Sequence, residues 1–209
     1  MPNLTALDLT QLVALAAALG WASGLRLYSV VFFTGLAGFM GWVPLPDGLK
    51  LLQNPVVMGA AGLMVAVEFL ADKVPGLDTL WDMVHTVIRI PAGAALAAGV
   101  FGGDSATWAA VAGLMGGTLA ATSHAAKATT RAAVNTSPEP FSNIALSLAG
   151  DAAVPAMLWL AWAHPLWFFP ALALAVTVAV ALLVVLLRFL RALLARIFGG
   201  RGAVAPRST

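Results

Sequence analysis

Cysteine is absent from the 209-residue chain, tyrosine occurs once, and only 10% of the residues are charged. The first absence excludes a disulfide scaffold and thiolate metal sites, and it says little about compartment. The scarcity of charge decides more. A soluble domain carries roughly 25% charged residues, whereas here 61% are hydrophobic and the mean hydropathy is +0.93, so an integral membrane protein is expected. Lys and Arg are also missing ahead of the first apolar run. Without a basic n-region a cleavable signal peptide is not expected, and the N-terminus should remain in the mature protein.

What charge there is falls in a few places. Eight of the eleven basic residues are Arg, and Arg188, Arg191, Arg196, Arg201 and Arg207 gather at the C-terminus. That pattern reads as a juxtamembrane tail on the cytoplasmic side rather than as a nucleic-acid surface, so no nucleic-acid partner is expected. The densest ionisable stretch is elsewhere. Glu68, Asp72, Lys73, Asp78, Asp82, His85 and Arg89 lie within 68–89, divided by Pro75-Gly76. Charged groups in hydrocarbon are costly unless paired, hydrated or bound to something, so this stretch marks the site.

Read in order, the chain predicts an all-α, polytopic membrane protein. Residues 7–42 are too long for one span of about 20 residues and too short for two with a loop. Gly20-Trp21-Ala22-Ser23-Gly24 marks the natural break, giving a half-helix over about 7–20, a turn near Arg26 and a span to about 41. The competing reading is one long tilted helix with a glycine packing face. Pro44 to Gly48 reads as a loop, and a second span runs over about 55–71. Asp78 is the expected N-cap of a third helix reaching about Gly102. A tight connection at 102–105 leads to a fourth span over about 106–131, which ends with His124, Lys127 and Arg131 on one face. Asn135-Thr136-Ser137-Pro138-Glu139-Pro140 is a second polar break. A fifth helix carries Asp151, kinks at Pro155 and ends near Ala163, and a sixth span begins near Trp167.

The expected architecture is therefore about six transmembrane spans, an N-terminal half-helix and two broken-helix polar loops. Residues 1–198 form one transmembrane domain and 199–209 a basic, disordered cytoplasmic tail. Alternation from that tail places Arg26, the Lys73 loop and the loop after Arg131 on the cytoplasmic side, and the Asp47/Lys50, Asp104 and His164 loops outside. The location expected is the inner (plasma) membrane, with the bilayer as partner and a homo-oligomer as assembly. A faint repeat sets Pro75 against Pro138 and Glu68 against Arg131, with Arg89 one residue off register from Asp151. Inverted charges of this kind suit two halves that meet and neutralise each other, as transporter halves do.

Gly24-Leu-Arg26-Leu-Tyr28, the run from Glu68 to His85, Arg89-Ile-Pro91-Ala-Gly93, and the run from Asn135 to Asn143 occur in an order that resembles the bacterial membrane family catalogued as domain of unknown function 4126. The likeness covers roughly residues 10–165. It implies a membrane fold and almost no chemistry. A weaker likeness is to cation/proton exchangers with Glu-x-Gly-Asp-Lys on a helix. Here Glu68 and Asp72-Lys73 are one residue further apart and lack the glycine, so no residue is carried over.

Several chemistries fit these residues. Asp78, Asp82, His85 and Arg89 recur at i, i+4, i+7 and i+11, one stripe of the third helix, while Glu68 and Asp72 share a face of the second. Glu68, Asp72, Asp82 and His85 are candidate ligands for a hard or borderline metal, against which the nearby Lys73, Arg89, Lys127 and Arg131 count. The helix after Pro140 offers free amides to an anion, with Arg26, Lys127 and Arg131 as counter-charges. The basic residues Arg26, Lys73, Arg89, Lys127 and Arg131 nearly balance the acidic Glu68, Asp72, Asp78, Asp82, Glu139 and Asp151. Such balance fits an ion-paired network that opens and closes, with His85 or His124 titrating, and equally fits static salt bridges that set helix register. A metal-assisted membrane hydrolase using Asp82 and His85 is a further reading. Ser123 beside His124 is no dyad, because helix neighbours point apart, and Ser137 and Ser142 read as caps.

Other features have plain readings. The seven tryptophans, at 21, 42, 81, 108, 159, 162 and 167, are expected near span ends. Gly20/Gly24 and Gly113/Gly117 are small-xxx-small faces for packing within the chain or for dimerisation. The leading expectation is a transporter or channel-like carrier for a small polar or anionic solute. Its network comprises Arg26, Glu68, Asp72, Lys73, Asp78, Asp82, His85, Arg89, His124, Lys127, Arg131, Asn135, Glu139 and Asp151. Glu68 and Asp72 would couple protons or cations; no cofactor is specified. The competing classes are a divalent-cation transporter, the hydrolase and a structural membrane protein.

Overall fold

The computed structural model describes residues 7–74, 76–102, 105–135 and 141–199. Among these residues the chain is all-helical and without strands: α1 (Leu9–Phe39), a 3-10 helix (Asp47–Gln53), α2 (Pro55–Ala71), α3 (Leu77–Gly99), α4 (Ala106–Val134), α5 (Phe141–Ala163) and α6 (Pro165–Gly199). The C-terminal residues 200–209 lie outside the described residues, as do Pro75, Asp104 and Pro138.

Three helical stretches are long and apolar enough to cross a membrane: α1, Ile144–Ala163 of α5 and Pro165–Phe189 of α6. The 3-10 helix and α2, bent by 69° at their junction, make a fourth if they are taken as one span. This is fewer than the six spans expected, because α3 and α4 devote much of their surface to charged or small residues. The distribution of those residues is inverted relative to a soluble protein. On α3, Leu80, Met83, Val84 and Val87 are 54–77% exposed, whereas Asp82, His85 and Arg89 are at most 5% exposed. Apolar side chains outside and charges inside suit a hydrocarbon surround, and with the apolar helices they point to a membrane protein.

Helix α1 is the axis of the bundle. Some 78% of its most apolar window is buried, against 6% for that of α6. A capping box starts it: Asp8 Oδ1 accepts the Gln11 N–H at 2.8 Å, and the Asp8 N–H donates to Gln11 Oε1 at 3.0 Å. The break in α1 falls at Arg26 itself (φ −149°, ψ 81°), where the turn was expected, but the helix does not end at about residue 20 or break across Gly20 to Gly24: the N-terminal piece runs on to the turn and only residues 27–39 follow it. The glycines have another task. A Cβ on Gly20 would meet the Gly116 backbone, and one on Gly24 would meet Ser123 Oγ and the Ala120 carbonyl. These positions let α1 and α4 touch backbone to backbone, so this face serves packing within the chain. Gly113 and Gly117 likewise face Ala94 and Ala98 of α3.

Two more expectations need correction. The cap of α3 is Gly76 (φ 88°), and Asp78 sits inside the first turn, its Oδ1 accepting the Gly76 N–H at 2.9 Å. Only a residue free of Cβ strain suits that left-handed position. Trp21 is not interfacial: it is 7% exposed within the core, whereas Trp42, Trp108, Trp159 and Trp167 are about half exposed or more, at 49–72%.

Candidate functional site

The break in α1 brings a buried cation to the centre of the bundle. Arg26, 2% exposed, places Nη1 at 2.7 Å from Asp72 Oδ2 and Nε at 3.0 Å from Asp151 Oδ1. Its Nη2 donates to the Ser147 carbonyl at 3.0 Å and to Ser147 Oγ at 2.9 Å. Ser147 and Asp151 are one turn apart on α5, so a single face of that helix receives the guanidinium.

The same break interrupts the i→i+4 ladder and leaves carbonyls of the first segment in need of donors. Helix α4 supplies one to the Leu25 carbonyl and adds a second bond one turn earlier. Ser123 Oγ donates to the Trp21 carbonyl at 2.7 Å, and Lys127 Nζ donates to the Leu25 carbonyl at 2.9 Å. Each pair is one helical turn from the other on both helices. Around the Lys127 ammonium stand Asp82 Oδ1 at 3.1 Å, Asp72 Oδ2 at 3.5 Å and Glu68 Oε1 at 3.8 Å. A fixed ammonium thus occupies a nest of four oxygens drawn from α1, α2, α3 and the turn after α2.

Two further arginines close the network. Arg89 is fully buried; its Nη2 pairs with Glu68 Oε1, and its Nη1 pairs with Asp82 Oδ1 at 2.7 Å. Arg131 Nη1 lies 2.6 Å from Asp72 Oδ1 and 3.8 Å from Asp78 Oδ2, and its Nε lies 3.8 Å from Asp82 Oδ2. Asp72, just beyond α2, is therefore the hub of Arg26, Lys127 and Arg131. Burial pushes its carboxyl up, but Lys127, Arg131 and Arg26 outweigh that and hold it below the usual carboxylate range. Asn135 Nδ2, beyond α4, donates to both oxygens of Asp78 at 3.1 Å, which ties the turn after α4 to the start of α3.

Both site histidines have both ring nitrogens engaged. His124 Nε2 is 2.7 Å from Thr86 Oγ1, whose hydrogen goes to the Asp82 carbonyl, so Nε2 carries the proton; Nδ1 faces Arg89 Nη1 at 3.3 Å and accepts. His85 Nδ1 donates to the Trp81 carbonyl at 2.8 Å, and Nε2 accepts from the Tyr28 hydroxyl at 3.0 Å. The His85 ring also stacks on Trp81, with centroids 4.1 Å apart. The tautomers follow from partner identity rather than from observed hydrogens.

The expected residues are largely brought together: Arg26, Glu68, Asp72, Asp78, Asp82, Arg89, His124, Lys127, Arg131, Asn135 and Asp151 form one connected network, with His85 at its edge. Lys73 is not in it. Its ammonium sits 2.8 Å from the centre of the Phe69 ring and donates to the Phe69 carbonyl at 3.2 Å. Glu139 lies outside the described residues, as does most of the break before α5; the helix expected to offer amides to an anion is α5, which begins at Phe141. The metal candidates Glu68, Asp72, Asp82 and His85 do not form one ligand set: the three carboxylates surround the Lys127 ammonium and pair with guanidinium groups, and both ring nitrogens of His85 are engaged elsewhere. Among the described residues no three His, Asp or Glu side chains are arranged to hold a metal ion. Tyr28, Thr86, Ser147 and the Leu25 carbonyl are members that the sequence reading missed. Ser147 had a signal, four residues before Asp151 on the same helix.

Beside the network lies a cavity of about 360 Å³ between α1, α4, α5 and α6. Arg26, Lys127 and Arg131 line one end of it, and apolar or small side chains line the rest. The buried carboxylates are also not fully used. Glu68 Oε2 and Asp151 Oδ2 have no hydrogen-bond partner among the described residues, and Asp82 Oδ2 has only the distant Arg131 Nε.

No curated protein and no solved structure matches the chain. The resemblance seen in the motifs over roughly residues 10–165 is supported by a longer match that reaches into α6. Residues 13–188 match the family described as Domain of unknown function (DUF4126), and the chain belongs to that family.

Proposed function

We propose that the protein is an ion-coupled carrier for an anionic solute, in which the network around Asp72 and Lys127 opens and re-forms during transport. The observation that carries this reading is the oxygen nest at the α1 break. A broken helix whose exposed carbonyl meets a cation beside buried carboxylates is how carriers hold coupling ions. Here Lys127 occupies that position as a tethered ammonium, which can give way to a proton or cation bound by Glu68 and Asp72. A purely static set of salt bridges would be expected to use every buried oxygen, and Glu68 Oε2 and Asp82 Oδ2 are left underused.

In this reading the protein has six spans in the inner (plasma) membrane, with α3 and α4 crossing behind their apolar outer faces. The C-terminus is cytoplasmic, so the network lies toward the cytoplasmic end, and the assembly is a homo-oligomer. Glu68 and Asp72 couple ions or protons, while Arg26 and Arg131 meet the solute. The test is acid flux into proteoliposomes, read with an entrapped pH-sensitive dye as inorganic and alkylated anions are added. Glu68→Gln and Arg131→Ala should abolish the flux while gel filtration and helicity stay normal. Absence of gradient-dependent flux in the wild type, or variants that fail to fold, would refute the carrier and leave the network a structural staple.

A further inference from the structure

The cavity beside the network has a polarity along its length. Its upper end is Trp21, Ala153 and Ala175; its lower end is Arg26 and Arg131. Successive turns of α1, α4, α5 and α6 line it, so it is a slot parallel to the helices rather than a round void. Its rim is open: Val178 and Leu182 of α6 are 49% and 40% exposed, and Leu146 of α5 is 36% exposed. That mouth lies on the apolar outer surface, where lipid chains would stand. A volume of about 360 Å³ is within the roughly 300–1,000 Å³ of ligand sites.

The cations at the lower end are buried, and one has a partner able to leave. Of the groups that hold Arg26, Asp72 and Ser147 are at most 1% exposed, whereas Asp151 is 25% exposed and its Oδ2 has no hydrogen-bond partner among the described residues. Gly150 keeps the approach clear, since a Cβ there would stand in van der Waals contact with Arg26 Nε, at 3.6 Å. An incoming acid of Asp151's charge can take its place on the guanidinium without stranding a buried cation.

We propose that this slot takes an anionic amphiphile from the membrane, its alkyl chain between α4, α5 and α6 and its acid head on Arg26 and Arg131 in place of Asp151. The proposal rests on the carrier reading and names its substrate class, a phosphate or carboxylate bearing a long apolar chain. Apolar walls without the cations would select a neutral chain. Cations without the walls would select a free inorganic anion. Both features in one slot select their combination.

The test uses the full chain in nanodiscs of neutral phosphatidylcholine, with the melting midpoint followed against dodecyl phosphate, dodecanol and inorganic phosphate. Dodecyl phosphate should raise the midpoint saturably and the other two should not. Ala179→Phe, which fills the slot and leaves the charges untouched, should weaken apparent affinity for dodecyl phosphate at least ten-fold. Asp151→Asn, which removes the competing carboxylate, should tighten it several-fold, a gain that misfolding cannot imitate. Equal stabilisation by dodecanol would overturn the role of the head, and equal stabilisation by inorganic phosphate would overturn the role of the chain. Stabilisation by none of the three would overturn the whole proposal. If flux with small anions survives any of these results, the carrier reading stands without it.

Discussion

Removing Arg89 should strand one carboxylate and not the other, and this asymmetry can be measured. Arg89 is fully buried and touches Glu68, Asp82 and His124. Asp82 keeps a close second cation, Lys127 at 3.1 Å, while Glu68 keeps only the same ammonium at 3.8 Å. Breaking a buried ion pair from one side costs about 3–5 kcal/mol, much of it the burden of the carboxylate left behind. Arg89→Met should therefore destabilise by about that amount. Removing the charge of Glu68 at the same time relieves the burden, so Arg89→Met with Glu68→Gln should cost about 2 kcal/mol less than the sum of the singles. The corresponding cycle with Asp82→Asn should show a smaller coupling, because Lys127 already compensates Asp82. The assay is equilibrium unfolding in mixed micelles, with all variants in one detergent series. Additivity of Arg89 and Glu68 to within about 0.5 kcal/mol, or a larger coupling to Asp82, would refute the assignment of partners.

Gly20→Ala should destabilise by about 1–3 kcal/mol or more, because its Cβ would strike the Gly116 backbone, which has no side chain to move aside. Gly59→Ala, with nothing within 4 Å of the new Cβ, should stabilise α2 by about 0.5–1 kcal/mol, and a thermal scan of both variants checks the contrast. The depressed Asp72 carboxyl predicts a direction with pH. Its stabilising effect is fully present above the ordinary value of 3.8 and is lost as pH falls through its lower folded value. Acid unfolding should therefore steepen below about pH 4, and Asp72→Asn should remove part of that slope while lowering stability at neutral pH.

How much of this was legible follows from what periodicity encodes. The positions of Asp78, Asp82, His85 and Arg89 on α3, and of His124, Lys127 and Arg131 on α4, were readable because a shared helix face depends only on spacing. All seven are buried or nearly so. The turn near Arg26 was readable from the length of the apolar run and is found there, but the part played by the glycines before it was not. Glycine permits a bend and also permits close approach, and nothing local distinguishes the two; Gly20 meets Gly116 and Gly24 meets Ser123, partners almost a hundred residues away. The residue that leaves the helix is Arg26, held there by α5 and the end of α2. Tyr28, the chain's one tyrosine, bonds His85 across two helices, a contact no spacing rule announces. Lys73 failed for a related reason. Its place beside Asp72 in sequence turned its side chain back over Phe69 rather than into the bundle.

The central position of α1 has a consequence for how the protein is made. Of the three candidate spans, the one earliest in this sequence is the one that the finished bundle most completely encloses. It carries Arg26 mid-way along its length, and an arginine at the centre of an isolated spanning helix costs about 2.5–3.5 kcal/mol on insertion scales. Asp72 and Asp151, which later neutralise that arginine, are synthesised 46 and 125 positions afterwards. If α1 inserts as a span, its arginine stays uncompensated until the fifth helix has been made. Premature termination anywhere before α5 should leave a first helix that slips out of the bilayer, giving quality control a simple signal that synthesis is incomplete.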